Sequence, residues 1–116
     1  MNAFMNLFSK SEAAYNTVDS SELEQIIKAN GSDIGLIDVR TEQEHQGGHI
    51  PNSENINVMG PDFVTKLEFL DREKHYYVYC ASGNRSKTAC GQMTHMGFKN
   101  VHNLRMGMMG WSGEVA

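Results

Sequence analysis

The sequence has few of the features that mark secreted, membrane or nucleic-acid-binding proteins. Two cysteines in 116 residues are too few for a disulfide scaffold, so we expect either a catalytic or a buried thiol. The formal net charge of −4 offers no basic surface for a nucleic acid, and we expect no such partner. The N-terminal segment lacks a basic start, a long apolar core and a cleavage site, and no later stretch approaches the length of a membrane span. These absences predict a cytoplasmic protein.

The composition is that of an ordinary globular protein. Hydrophobic residues make up 40% and charged residues 21% of the chain, and its length suits one domain with a proper core. We assign residues 18–116 to this domain and residues 1–17 to an N-terminal extension. Apolar residues between Phe4 and Phe8 have helical spacing, so the extension is a candidate for a short amphipathic helix. Such a helix would cover the domain's own core or, alternatively, dock on a partner.

Strand and helix patterns alternate along the domain. Strands are predicted at 34–39, 55–58, 76–79 and 100–104, and the first of these is the mostly apolar run typical of a strand buried on both faces. Helical signals lie before and between them, at about 20–30, 41–46, 61–70 and 85–96. Strands separated by helices predict an α/β fold, with a small, largely parallel sheet and helices on both faces.

Three of the predicted helices have recognisable boundaries or faces. Asp19 or Ser20 can cap the first helix, and Gly31 ends it. The segment 41–44 has the pattern of a capping box for the second. In the third, a single apolar face is predicted to consist of Phe63, Val64, Leu67 and Leu70.

The most informative stretch lies between the third predicted strand and the last helix. The strand leads directly into Cys80, which is followed by small polar residues, by Arg85 and by a helix. Loops at the carboxyl ends of parallel strands are where such sheets bind ligands. The turn can form a nest of N–H groups, the helix directs its positive end at the same place, and Arg85 adds a permanent charge. All of these features favour an anion, including the thiolate of Cys80. A buried cysteine with only a packing role would need neither the glycine turn nor the arginine.

Four segments, in order, resemble conserved elements of one known family. In chain order they are Ile37–Arg40 with Glu44, Gly48–Pro51, Cys80–Ser86, and Gly97–Val101 followed by Gly107, Gly110 and Trp111. Together they resemble the single-domain rhodanese-like sulfurtransferases, over about residues 18 to 113. Any one of these motifs is weak on its own, whereas four in the expected order are strong.

The resemblance implies a sulfur-transfer chemistry. Cys80 would attack a sulfane donor such as thiosulfate or a persulfide, carry the sulfur as a persulfide, and pass it to a thiol or to cyanide. The partners implied are therefore a small sulfur donor and a thiol acceptor, which is either a small molecule or a protein. We expect neither a metal nor a cofactor. The loop implied to bind the anionic donor comprises Ala81, Ser82, Gly83, Asn84, Arg85 and Ser86.

Two other functions are considered on the same fold. Rhodanese-fold phosphatases and arsenate reductases place their arginine six positions after the cysteine, whereas Arg85 lies five positions after Cys80. This spacing favours sulfur transfer. A binding module without turnover is the other alternative, but inactive relatives usually lack the cysteine. Ala81 stands where thiosulfate-using members often have a basic residue, which makes a neutral or protein-bound persulfide donor more plausible.

Several other polar residues are interpreted as structural. Cys90, in the helix after the loop, is predicted to be a core thiol and not a resolving cysteine. Asp38 and Arg40 are predicted to be scaffold, paired at the end of a buried strand. His45 and His49 lack the intervening glutamate of a zinc-protease motif, and two glycines interrupt the helix that motif needs. His49 is instead expected to stabilise its turn.

Overall fold

A computed structural model describes residues 15–116. Five strands form one parallel sheet in the order β1-β5-β4-β2-β3, so that β4 lies at its centre. The strands are β1 (Asn16–Val18), β2 (Ile34–Asp38), β3 (Glu54–Asn55), β4 (His75–Tyr79) and β5 (Asn100–Leu104). The helices are α1 (Ser20–Asn30), α2 (Glu42–Gln46), α3 (Phe63–Leu67) and α4 (Asn84–His95). The predicted α/β fold is confirmed.

The two faces of the sheet carry separate apolar cores. Successive side chains of a strand point to opposite faces, so Tyr76 and Val78 belong to one core and Tyr77 and Tyr79 to the other. The first core is completed from α3 and α4 by Phe63, Leu67, Ala89, Cys90 and Met93. The second is completed from α1 by Leu23, together with Val18, Leu36, Ile50 and Leu104. The central strand is therefore covered on both sides, which explains its continuous apolar character.

The predicted caps of α1 and α2 are present. The Asp19 side chain accepts a hydrogen bond from the backbone N–H of Glu22, and the carboxylate of Glu22 accepts one from the N–H of Asp19. Thr41 and Glu44 form the same reciprocal arrangement at the start of α2. These caps satisfy the N–H groups that the first turn of a helix leaves unpaired. In α2 the cap also fixes the position of Glu44.

The structure corrects several predicted elements. Strand β3 contains only Glu54 and Asn55, so the predicted strand at 55–58 is wrong in most of its length. The third helix is also shorter than predicted, and Val64 is 48% exposed instead of lying on its apolar face. Strand β1 was not predicted at all, although all three of its residues pair with β5.

The predicted division of the chain at residue 18 stays a prediction. The helical segment expected near Phe4 lies outside the described residues. Within residues 15–116, no helix is both long enough and apolar enough to cross a membrane.

Candidate functional site

The candidate site lies at the carboxyl edge of the sheet, where β4 ends. Cys80 follows the last residue of that strand and is 1% exposed. The adjacent strands β2 and β5 end at the same edge, because the sheet is parallel. The site therefore forms where the loops after three neighbouring strands meet, as open parallel sheets favour.

The loop after Cys80 folds back so that its donors converge on the sulfur. The backbone N–H of Gly83 donates to Cys80 Sγ at 3.1 Å, and that of Ser86 donates at 3.3 Å. Gly83 has a φ of +103°, and a Cβ at this position would collide with the carbonyl oxygen of Arg105. Glycine is therefore required here for both backbone conformation and space. Two N–H groups of the loop thus converge on Cys80 Sγ, and the binding of an anionic donor by this loop stays a prediction.

This environment determines the ionisation of Cys80. Burial acts to raise the pKa of its thiol, because a charged sulfur loses solvation. The hydrogen bond between the Cys80 sulfur and the Ser86 side chain, and those from the backbone of Ser86, Gly83 and Ser82, act in the opposite direction and dominate, so the pKa lies below its ordinary value. The loop thus favours the thiolate, which is the nucleophilic form of cysteine.

Ser86 connects Cys80 to a residue that the sequence analysis missed. Its buried hydroxyl lies 3.4 Å from Cys80 Sγ and also donates a hydrogen bond to Oδ1 of Asn103. Asn103 lies on β5 and is fully buried. The sequence signal for this residue was weak, because the predicted strand at 100–104 contains two carboxamides and a histidine and nothing distinguishes Asn103 among them.

Arg85 does not stand alone at the mouth of the loop. Its Nη1 and Nη2 atoms donate to the two carboxylate oxygens of Glu44, each at 2.9 Å. This bidentate pair, above all the hydrogen bond from Arg85, lowers the pKa of Glu44 to about 2. The sequence indicated a permanent positive charge at Arg85, and the structure places the carboxylate of Glu44 against it.

The 3₁₀ turn Gly107–Gly110 closes the other side of the cysteine loop. The backbone N–H of Met108 donates to the carbonyl of Cys80, and that of Met109 donates to the carbonyl of Ala81, both at 2.9 Å. A Cβ on Gly107 would collide with the Cys80 carbonyl oxygen, so this close approach requires glycine. Met106 and Met109 are exposed beside the loop and give its rim an apolar character.

Asp38 and Arg40 form a buried pair at the end of β2. Arg40 donates from Nε and Nη2 to the carboxylate of Asp38 and from Nη2 to the carbonyl of Gly48. His45 Nδ1 lies 2.8 Å from Asp38 Oδ2, and His49 Nδ1 lies 2.8 Å from the His45 carbonyl. These contacts tie the end of β2 to the loop after α2. They match the scaffold roles proposed for Asp38, Arg40 and His49.

Cys90 lies on the buried side of α4, within the first core, and is fully buried. Burial is the main cause that raises the pKa of its thiol far above the ordinary value, with a smaller contribution from the charge of Cys80. A neutral, enclosed thiol is unreactive. The two cysteines are both free, but among residues 15–116 the N–H donors converge on the sulfur of Cys80 and none is directed at that of Cys90.

Fold and site together define a class of protein: an α/β domain whose central strand delivers a cysteine into a loop of converging N–H donors. The sequence matches the model of one family, the rhodanese-like domain, over residues 19–114. The chain therefore belongs to the rhodanese-like domain family, and the resemblance seen in its four motifs is confirmed.

Relatives of similar length carry sulfurtransferase names. YtwF of Bacillus subtilis is 40% identical over 98 residues, which cover 84% of this chain and 91% of YtwF. A sulfurtransferase of Allochromatium vinosum is 32% identical over 97 residues, which cover 84% of this chain and 88% of the relative. Both of these relatives are named as sulfurtransferases. A tRNA uridine(34) hydroxylase of Pectobacterium carotovorum is 30% identical over 91 residues, but only 26% of that protein is covered.

A solved structure gives the same assignment. The rhodanese-related protein of Thermoplasma volcanium has a TM-score of 0.76 and 30% sequence identity, over 88% of this chain and 98% of that one. The likeness extends over nearly the whole of that chain, so it concerns the complete fold.

Proposed function

We propose that the protein is a sulfurtransferase in which Cys80 carries a sulfane sulfur as a persulfide. The observation that carries this proposal is the convergence of the Gly83 and Ser86 N–H groups on Cys80 Sγ. Such donors stabilise negative charge on the attacking sulfur, and they remain in place for charge that forms during transfer. Family membership and the names of the relatives of similar length support the same chemistry.

The reaction consists of two displacements at sulfur. The Cys80 thiolate attacks the outer sulfur of the donor, and the bond between the outer and inner donor atoms breaks. The electron pair of that bond leaves with the first product, which is sulfite when the donor is thiosulfate or a thiolate when it is a persulfide. A second nucleophile, either a thiolate or cyanide, then attacks the outer sulfur of the Cys80 persulfide and restores the Cys80 thiolate. The enzyme is unchanged overall, which predicts ping-pong kinetics.

The charges around the loop favour a persulfide donor over thiosulfate. Thiosulfate carries two negative charges, and Ala81 supplies none of the positive charge that a basic residue would add. The Arg85 guanidinium is already paired with Glu44, so the pair is close to neutral as a unit. A positive charge attracts a dianion more strongly than it attracts a monoanion or a neutral molecule. The exposed Met106 and Met109 at the rim suit a donor or an acceptor with some apolar surface.

Intact mass spectrometry provides the direct test. The purified protein is incubated with thiosulfate or with a low-molecular-weight persulfide, and its mass is recorded before and after reduction by a thiol. We expect the mass of one added sulfur, formed faster from the persulfide, and lost on reduction. Cys80→Ser should not gain this mass, whereas the matched variant Cys90→Ser should.

Other outcomes would support the alternative functions. Cysteine-dependent hydrolysis of an aryl phosphate, with no sulfur added from any donor, would indicate a phosphatase of the same fold and contradict the proposal. A protein that neither gains sulfur nor hydrolyses the phosphate would be a binding module.

A further inference from the structure

One side chain near Cys80 has an unmatched hydrogen-bonding group. Asn103 is fully buried on β5, and its Oδ1 atom accepts a hydrogen bond from the Ser86 hydroxyl. Its Nδ2 group has no hydrogen-bond partner within residues 15–116. Buried N–H donors without partners are rare in proteins, because the lost hydration is not replaced. The unmatched donor lies on the residue that bonds to Ser86, so the network around the sulfur offers a reason for it.

The hydrogen bonds of this network all run in one direction. The Cys80 thiol donates to Ser86 Oγ, with 3.4 Å between Sγ and Oγ, and Ser86 donates in turn to Asn103. This arrangement suits a neutral thiol, which has a proton to give. A thiolate has none and can only accept. The hydroxyl of Ser86 has a single proton, so it cannot donate to Asn103 and to the Cys80 thiolate at the same time.

We propose that Asn103 is a positioning residue whose side-chain amide reverses this network when Cys80 loses its proton. The Ser86 O–H then turns towards Cys80 Sγ, and its oxygen needs a donor on the side facing Asn103. Half a turn of the amide replaces Oδ1 with Nδ2, whose N–H donates to Ser86 Oγ. The group that has no partner beside the thiol thus gains one beside the thiolate. Oδ1 loses its partner instead, but carbonyl oxygens tolerate this better than N–H groups do.

Two described titratable residues are close enough to Cys80 for its charge to affect them, but they lie outside this network. They are Arg85 and Cys90, and the charge of Cys80 raises the pKa of each. Arg85 is held by Glu44, and Cys90 stays neutral because it is buried. Neither forms a hydrogen bond with Ser86 or Asn103 in the described part of the chain. The direction of the Ser86 proton is therefore set by Cys80 and Asn103.

The first test removes the ability of residue 103 to donate. Asn103→Asp keeps the shape of the side chain, but its carboxylate can only accept and so retains the Ser86 proton. We expect the pKa of Cys80, measured from the pH dependence of its alkylation rate, to rise by about one unit beyond the effect of the added charge. The effect of charge alone is measured by making the same change in a Ser86→Ala background, which lacks the hydroxyl. An equal rise in the two backgrounds would overturn the proposal.

The main measurement of the second test uses the unaltered sequence, and only its control uses a variant. With the side-chain amides labelled for NMR, the Asn103 Nδ2 protons should shift with pH, with a midpoint equal to the Cys80 pKa obtained by alkylation. The amide of Asn55 bonds to the carbonyls of Asp38 and Arg40 and serves as the matched control. In Ser86→Ala the large shift of Asn103 should disappear. Resonances of Asn103 that do not respond while Cys80 titrates would refute the reversal.

The inference rests on the proposed function for its catalytic meaning, since a stabilised thiolate is what sulfur transfer requires. Its tests, however, measure only the titration of Cys80. A protein that never forms a persulfide but shows the Ser86-dependent shift would contradict the sulfurtransferase proposal and leave the role of Asn103 standing. A protein that transfers sulfur without that shift would support the sulfurtransferase proposal and contradict the role of Asn103.

Discussion

Replacing Gly83 with alanine tests how much the cysteine loop contributes to thiol reactivity. The backbone N–H of Gly83 donates to Cys80 Sγ at 3.1 Å, and its φ is +103°. A Cβ at this position meets the carbonyl oxygen of Arg105, so the loop has to move if alanine is introduced. Because the colliding atom is backbone, the movement should carry the N–H away from the sulfur. The variant thus loses a hydrogen bond to the thiolate without any change of charge.

The size of the effect follows from the value of one such bond. A hydrogen bond to a charged group contributes about 1.5–3 kcal/mol, and about 1.4 kcal/mol corresponds to one pKa unit. We therefore expect the pKa of Cys80 to rise by about one to two units. At a pH below both pKa values, the thiolate fraction falls roughly 10- to 100-fold, while the nucleophilicity of each thiolate rises about 3- to 8-fold. The net loss in alkylation rate is then about 3- to 12-fold.

Gly97→Ala is the matched control for this experiment. Gly97 also has a positive φ, of +96°, but a Cβ there meets nothing within 4 Å. Both variants bear the backbone strain of a left-handed alanine, about 1–2 kcal/mol, whereas only Gly83→Ala should alter the thiol. Urea denaturation measures the stability of each variant, with the larger loss expected for Gly83→Ala because of the collision with Arg105, and the pH profile of alkylation gives each pKa. If the Cys80 pKa is unchanged in Gly83→Ala, the reasoning that the N–H stabilises the thiolate is wrong.

Three further predictions concern the charges and the second cysteine. Glu44→Gln should lower the free energy of unfolding at neutral pH by less than about 1 kcal/mol, since the pair with Arg85 is partly exposed. The folded-state pKa of Glu44 is about 2, against an ordinary value of 4.5. The stability that the pair adds is therefore present above pH 4.5 and is lost as the pH falls towards 2. Denaturation curves of Glu44→Gln should not show this loss of stability in acid. Ala81→Lys should lower KM for thiosulfate several-fold at low salt and less at high salt, and an unchanged KM would show that charge does not limit use of this donor. Cys90→Ala should lose about 1–2 kcal/mol of stability and still load and release sulfur; a variant that loads but cannot discharge would give Cys90 a role in transfer.

The position of Cys80 could be predicted from the sequence because local signals agree there. A run of strand-forming residues, a turn with glycine and the start of a helix are all short-range features, and each fixes the next. The pairing of Arg85 with Glu44 is different in kind. These residues are 41 positions apart, and no local sequence pattern predicts the direction of the Arg85 guanidinium. The motif containing Glu44 was recognised, but its effect on the charge of the loop depends on tertiary structure.

The elements that were missed or misjudged are short ones. Strand β1 has three residues, too few to show a period, and it is held in place by β5. Ile56 and Val58 lie outside β3, although their N–H groups bond to the carbonyls of Asp38 and Val39. These bonds continue along the end of β2 without extending the strand. Asn103 was hidden for another reason: a polar residue in a buried strand can be interpreted only once its neighbours in space are known.

The hydrogen bonds that the Gly107–Gly110 turn donates to the carbonyls of Cys80 and Ala81 have a consequence for the protein while it is folding. Met108 and Met109 hold the loop from a segment that is synthesised after it, and Asn103 reaches Ser86 from a strand that also comes later. Until those segments dock, the thiol has the reactivity of any cysteine in an unfolded chain. A partly folded molecule would thus accept sulfur slowly and could not hold it in a defined orientation. The rate of sulfur loading should therefore follow the return of native structure during refolding, so that the cysteine itself reports whether its surroundings are complete.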